Sequence, residues 1–144
     1  MAAGDEWQVF HYEWAMVRNL VRRTKERWDS LNLWCRHAIV ESLVLQTRIL
    51  ADIFLPTPKS KPDDIKITDL IPGFSSPHTA SLAAAYGDSK TVGCPCWQFN
   101  KLLAHATRHR GNSHQYGPAL AEMWPHIERI IEDIKRTNPP VALD

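Results

Sequence analysis

The sequence predicts an all-α fold, arranged as an up-down bundle of four to five helices with a long proline-rich loop after the second helix. Apolar residues recur every three to four positions over long stretches, and no stretch alternates convincingly between apolar and polar residues. Five prolines between residues 56 and 77 interrupt the helical pattern. At 144 residues, the chain fits a single helical domain, 1–144, with one core.

The first predicted helix covers about residues 5–28. Its apolar residues, beginning with Trp7, Phe10 and Trp14, form one stripe, and its second half is basic. The second predicted helix covers about 30–54, with Asp29 and Ser30 as candidate caps. We expect this second helix to lie at the centre of the bundle, because it is apolar on most sides.

Three charged residues of the second helix, Glu41, Arg48 and Asp52, need partners if they are buried. Arg48 and Asp52 are four positions apart and are expected to pair on one face.

The loop at 55–96 is predicted to contain only short helical turns. A short extended piece is expected at 63–67, a single turn at 68–71, and a short helix at 81–86 that Gly87 ends.

Two further helices are predicted at about 97–110 and 118–137. Pro118 suits the first turn of the last helix, and Pro125 is expected to kink it. The residues after Asn138 are expected to form a tail.

Composition excludes several function classes. With 17 Lys and Arg against 16 Asp and Glu, the net charge of +1 does not suggest a general duplex-DNA or membrane-surface binder. No signal peptide is recognised at the N-terminus, and no apolar run approaches the roughly 18 residues of a membrane span. Three cysteines suggest no disulfide framework, so we expect a reduced, cytoplasmic protein that does not contact a membrane.

The residues with the clearest chemical potential lie together at the end of the third predicted helix. Five basic or titratable side chains fall within ten residues: His105, Arg108, His109, Arg110 and His114. A metal-free ribonuclease needs groups that move protons near neutral pH and cations that hold the phosphate, which are the properties of His and Arg. The alternative is a purely structural role, in which these basic side chains only complement the dipole at the helix C-terminus.

Metal and cofactor chemistry fit this stretch less well. His105 and His109 are four apart and could supply two zinc ligands, but no carboxylate is near and the neighbouring arginines repel cations. No nucleophile elbow and no glycine-rich phosphate loop occurs. We therefore expect neither a metal site nor a cofactor.

Two stretches of the chain resemble small bacterial α-helical proteins related to the HEPN superfamily (higher eukaryotes and prokaryotes nucleotide-binding). The first runs Thr47-Arg48-Ile49-Leu50-Ala51-Asp52-Ile53-Phe54, followed by Pro62-Asp63-Asp64-Ile65. The second comprises Asn100-Lys101 and Ala104-His105-Ala106-Thr107-Arg108-His109-Arg110. With the helix order, the resemblance covers about residues 30–135.

The resemblance implies an RNA- or nucleotide-binding protein, and a metal-independent endoribonuclease as its enzymatic form. HEPN ribonucleases use an Arg-x(4–6)-His motif in a homodimer that forms one composite site, and Arg108 and His114 fit that spacing. This implies Arg108, His114 and His105 as catalytic residues. The expected phosphate- or ligand-binding residues are Arg110, His109, Arg48, Thr107 and Asn100.

Two alternatives stay open. In the small-protein group the matched polar residues are Arg48, His105, Thr107 and Arg110, which would also suit a buried structural network or a ligand pocket. The chain would then be a non-enzymatic helical interaction module, such as a partner subunit in a defence or toxin–antitoxin system. Its interface would be the tryptophan-rich first helix.

Overall fold

The computed structural model describes residues 3–57, 59–100 and 116–144, and within these ranges every regular element is a helix. The all-α prediction is therefore confirmed for the described part of the chain. The helices are α1 (Ala3–Arg27), α2 (Leu33–Phe54), α3 (Ile67–Leu70), α4 (His78–Tyr86), α5 (Pro95–Gln98) and α6 (Tyr116–Lys135), with a 3-10 turn at Trp28–Ser30 between α1 and α2.

Helix α1 buries the stripe that the sequence predicts. Trp7, Phe10, Trp14 and Val17 all lie in the core. The ring of Phe10 is 5.9 Å from the ring of Phe54, which joins the start of α1 to the end of α2. Because Trp7 and Trp14 are core residues, the expectation that they form an exposed interface is wrong.

The turn between α1 and α2 differs from the expected capping. Asn32, and not Asp29 or Ser30, caps α2, because its side chain accepts a hydrogen bond from the Cys35 N–H at 2.8 Å. Arg36 then closes the turn from α2. Its guanidinium donates to the carbonyl oxygen of Trp28 at 3.0 Å and lies over the Trp28 ring.

Helix α2 is buried along its second half only. Its buried residues begin at Leu43, and residues 33–42 include none. Leu33 and Trp34 are instead among the most exposed apolar residues of the described chain. The expectation that α2 is covered on most sides is therefore wrong for its first ten residues, where the helix extends past the core.

The proline-rich loop contains more helix than the sequence suggests. The expected extended piece at 63–67 is a turn, in which the Lys61 N–H donates to Asp64 at 2.6 Å, and α3 begins directly after it. Helix α4 begins three residues before the expected 81–86 helix and ends at Gly87 as predicted. The loop is fixed to α6 by Ser76, whose hydroxyl donates to Asp133 at 2.6 Å.

Helix α6 supplies the largest apolar face of the core and packs against α4, α2 and α5. Pro118 lies in its first turn, as predicted, and Pro125 lies inside it. Its buried side chains follow helical spacing: Ala119, Leu120, Met123, Ile127, Ile130, Ile131 and Ile134. The residues after it are not a free tail, because Leu143 is buried and the Trp14 indole donates to the Asp144 carbonyl at 3.1 Å.

Two sequence predictions are only partly covered by the described residues. The third predicted helix, 97–110, overlaps α5, which begins at Pro95, but its residues 101–110 lie outside the described ranges. Among the described helices, none is long and apolar enough to cross a membrane.

Glu13 provides a test of how α1 is buried. Its side chain is buried, its Oε2 atom has no hydrogen-bond partner among the described residues, and burial raises the pKa of this carboxyl above 4.5. A carboxyl with a raised pKa in the folded state stabilises the fold at low pH, and this contribution is lost as the pH rises through the raised pKa. Ionised Glu13 therefore destabilises the fold at neutral pH.

We expect Glu13→Gln to raise the thermal midpoint at pH 7 by about 2–4 °C, because the charge is removed while the side-chain shape is kept. The gain should shrink below pH 4.5, where both forms are neutral. Thermal unfolding followed by circular dichroism from pH 4 to pH 8 measures this, with Glu26→Gln on the exposed part of α1 as the control. A gain independent of pH would contradict the account.

Candidate functional site

Most of the site residues predicted from the sequence lie outside the described ranges. His105, Thr107, Arg108, His109, Arg110 and His114 all belong to residues 101–115, whereas Arg48 and Asn100 are described. The site can therefore be built from the side chains around Arg48 and Asn100, at the point where residues 101–115 join the described helices.

Arg48 lies half-buried on α2, one turn before Asp52. Burial raises the pKa of the Asp52 carboxyl, the positive charge of Arg48 opposes that rise, and the charge of Asp64 adds to it. Asp52 as a whole residue is still exposed, so its carboxyl is both close to protein and open to solvent. The charges of Arg48 and Asp64 thus both act on Asp52, but no ion pair within 4 Å joins Arg48 to Asp52 among the described residues, so the predicted pairing is not formed.

Asn100 lies one turn after Cys96, which belongs to α5. Its side-chain amide donates to the Cys96 carbonyl at 2.8 Å and lies 3.5 Å from the Cys96 sulfur. Cys96 also shares a side-chain hydrogen bond with Tyr86 at the end of α4. The amide of Asn100 and the hydroxyl of Tyr86 thereby hold the same thiol.

Tyr86 connects these two groups of residues. Burial is the main cause that raises the pKa of its phenol, Cys96 and Asp52 raise it further, and Arg48 lowers it. The charges of Arg48 and Asp52 on α2 therefore act on the Tyr86 phenol on α4, which is hydrogen-bonded to the Cys96 thiol on α5. We call these five side chains the Tyr86 cluster: Arg48, Asp52, Tyr86, Cys96 and Asn100.

A tight loop between α4 and α5 forms this cluster. Gly87 has φ +73°, a conformation that residues with a Cβ rarely adopt, and a Cβ there would lie 2.7 Å from the Cys94 sulfur. Asp88 holds the following turn, accepting hydrogen bonds from the backbone of Lys90 and from Thr91. The chain can reverse here only because residue 87 has no side chain, and the reversal brings Cys96 to Tyr86.

Aromatic contacts join the cluster to the two described residues that flank 101–115 in the sequence. The Phe99 ring centroid lies 6.2 Å from that of Tyr86 and 6.3 Å from that of Tyr116. Asn100 directly precedes residues 101–115 in the sequence and Tyr116 directly follows them.

The Cys96 thiol is not an activated nucleophile. Burial is the largest cause that raises its pKa, so little thiolate forms at neutral pH. All three cysteines are free thiols. In the described ranges, no group of three or more His, Cys, Asp or Glu side chains is arranged to hold a metal ion. The chemistry open to the cluster is therefore hydrogen bonding and charge, with Arg48 as its cation.

A separate groove lies between α1 and α6, with a volume of about 810 Å³. The rings of Trp14 and Trp124, 6.3 Å apart, lie at its floor, and Arg18 stacks over Trp14. Basic side chains of α1 and both acidic and basic side chains of α6 line its walls. None of the Tyr86 cluster lines this groove, so the groove and the predicted site are different places.

The sequence analysis names Arg48, Asp52 and Asn100 but neither Tyr86 nor Cys96. Tyr86 ends a short helix and carries no motif, and nothing in the sequence indicates a partner for Cys96. The signal that was present is Gly87, directly after Tyr86, which marks a chain reversal. Reversal alone does not reveal which side chains it brings into contact.

Comparison of the chain with protein-family models, with curated proteins and with solved structures finds no match in any of the three. The resemblance to the HEPN superfamily therefore depends on the residues quoted above.

The conformation at Gly87 gives a direct test of the loop that builds the cluster. We expect Gly87→Ala to lower the free energy of unfolding by about 2 kcal/mol or more, because alanine is strained at this φ and its Cβ meets Cys94. Gly117→Ala is the matched control, since a Cβ there meets nothing within 4 Å. Urea unfolding followed by circular dichroism compares them, and equal stabilities of the two variants would overturn this account of the loop.

Thiol reactivity tests the burial of Cys96. At pH 7.5 we expect iodoacetamide to modify exposed Cys35 at least about tenfold faster than Cys96, because burial raises the Cys96 pKa and limits access. Peptide mapping by mass spectrometry separates the sites, and Cys35→Ser should remove the fast phase while Cys96→Ser leaves it. In urea both thiols should react alike. A fast Cys96 in the native protein would contradict the assignment.

Proposed function

We propose that this chain is an HEPN-like helical bundle that binds RNA and cleaves it without a metal ion. One observation carries the proposal. Arg48 and Asn100 were singled out from separate motifs 52 positions apart, and both belong to the Tyr86 cluster, where the residues rich in His and Arg begin. A phosphate that contacts 105–114 near their attachment would find Arg48 as a further cation.

The proposed reaction divides the work between imidazoles and guanidiniums. One of His114 and His105 takes the proton of the ribose 2′-hydroxyl, whose oxygen bonds to phosphorus. The bond from phosphorus to the 5′-oxygen breaks, and the other imidazole, in its protonated form, gives that oxygen a proton. Arg108 and Arg110 stabilise the charge on the phosphate oxygens, so no metal is required. His109, Thr107 and Asn100 orient the substrate.

The proposed active form is a homodimer in the cytoplasm, in which two copies complete one site. The free thiols of Cys35, Cys94 and Cys96 suit a reducing compartment. Because α6 and α4 complete the core around α2 within one chain, the proposed dimer joins two folded protomers.

A second candidate is the non-enzymatic interaction module, a partner subunit in a defence or toxin–antitoxin system. The observation that favours it is the exposure of Leu33 and Trp34 at the start of α2. Large apolar side chains at the surface are typical anchors of protein interfaces. This candidate predicts binding without cleavage.

The test is cleavage of a fluorescent single-stranded RNA in the presence of EDTA. We expect the wild type to cleave, and Arg108→Ala and His114→Ala each to lower the rate by about 100-fold or more, through lost phosphate stabilisation and lost proton transfer respectively. Arg23→Ala, which removes an exposed arginine of α1, is the control and should keep the wild-type rate. Equal rates in all variants, or no cleavage in any, would count against catalysis, and binding without cleavage would favour the module.

A further inference from the structure

The outer side of α2 carries a stripe of side chains that the described core does not cover. These residues are spaced three and four positions apart, so they share one side of the helix. Trp34 is 78% exposed and Leu45 is 49% exposed, and the others are exposed except half-buried Arg48. We call the following residues the α2 stripe: Trp34, His37, Ala38, Glu41, Leu45, Arg48 and Asp52.

The charges of the α2 stripe alternate in sign. Glu41 is negative, Arg48 positive and Asp52 negative. A binding surface for a polyanion such as RNA or an anionic membrane would carry one sign. The side-chain ion pairs within 4 Å among the described residues lie at the end of α6, and neither of them involves a charge of the stripe.

We propose that the α2 stripe binds the same stripe of a second copy, with the two helices antiparallel and Leu45 at the twofold axis. Such an interface uses one surface twice, so the surface must complement itself. The α2 stripe meets this requirement in both charge and apolar character.

The inner charges complement each other across the axis. At a rise of 1.5 Å per residue, Glu41 lies about 6 Å before Leu45 and Arg48 about 4.5 Å after it. In an antiparallel pair, Glu41 therefore comes within about 1.5 Å, along the axis, of the partner's Arg48. This offset is small compared with the reach of either side chain, and symmetry forms the ion pair twice.

The outer positions follow the same rule. His37 lies about 12 Å before the axis and Asp52 about 10.5 Å after it, so these two also meet across the interface. Leu45 packs against its own copy at the centre. The apolar contact at Leu45, the Glu41–Arg48 pair and the His37–Asp52 contact thus agree with a single register.

This interface is the contact surface of the homodimer in the proposed function. Its biological role rests on that proposed function. Its evidence lies only in the exposure, spacing and charge of residues on α2. The two proposals are therefore tested by different measurements: oligomeric state for the interface, and RNA cleavage for the function.

The experiment is a charge swap followed by sedimentation velocity over a range of protein concentrations. We expect the wild type to show a species with twice the 16.5 kDa mass of one chain. Glu41→Arg places like charges opposite each other and should raise the dissociation constant by about tenfold or more, and Arg48→Glu should do the same. The double variant, Glu41→Arg with Arg48→Glu, restores the pairing and should return to within about threefold of the wild type.

Two controls keep the outcome interpretable. Glu122→Arg reverses an exposed charge on α6 and should leave the dissociation constant unchanged, and circular dichroism confirms that each variant folds. A wild type that stays monomeric, or a double variant as weak as the single ones, overturns the interface. A dimer that does not cleave RNA overturns the proposed cleavage and leaves the interface standing. A monomer that cleaves RNA overturns the interface and the homodimeric form of the proposed site, and leaves the cleavage standing.

Discussion

The apolar face of α6 is the constraint on which the rest of the described structure depends. Met123, Ile127, Ile130 and Ile134 are fully buried, and α6 packs against α4, α2 and α5. Burial of such side chains is worth roughly 1.5–3 kcal/mol each. The buried residues of α2 begin only at Leu43, so the first half of α2 contributes no fully buried side chain to this core.

The polar groups of the Tyr86 cluster differ in how deeply they are buried. In the interior, Tyr86 and Cys96 are held by hydrogen bonds. Burial raises the pKa of both groups, so they stay neutral and position their neighbours. At the edge of the cluster, the Arg48 side chain is half-buried. A guanidinium in that position is partly desolvated, which strengthens its attraction for an anion compared with an arginine in open solvent.

The sequence predicts those features that depend on local pattern. The buried stripe of α1, the end of α4 at Gly87 and the place of Pro118 all follow from spacing or from the properties of a single residue. The cap of α2 was misassigned because Asp29, Ser30 and Asn32 are all good capping residues, and only the backbone decides among them. When three neighbouring residues have similar capping preferences, the sequence alone does not show which of them caps the helix.

Features that depend on distant contacts were not predictable in this way. Composition shows that α2 is apolar but not which of its sides the other helices cover, so the exposure of Trp34 and Leu45 was missed. The contact between Tyr86 and Cys96 depends on the loop that Asp88 folds, and the buried C-terminal residues depend on Trp14. Arg48 and Asn100 were found because motif spacing, and not hydrophobic pattern, selected them.

Arg48 belongs to both the Tyr86 cluster and the α2 stripe, and this double membership has a thermodynamic consequence. One guanidinium cannot give its full attraction to two anions at once. An anion held at the cluster would therefore weaken the attraction between Arg48 and a carboxylate on a neighbouring molecule. Linkage makes that effect reciprocal, so self-association would weaken the attraction of Arg48 for the anion and leave Arg108 and Arg110 as the main cations of the proposed site. In such a protein, ligand affinity would depend on protein concentration.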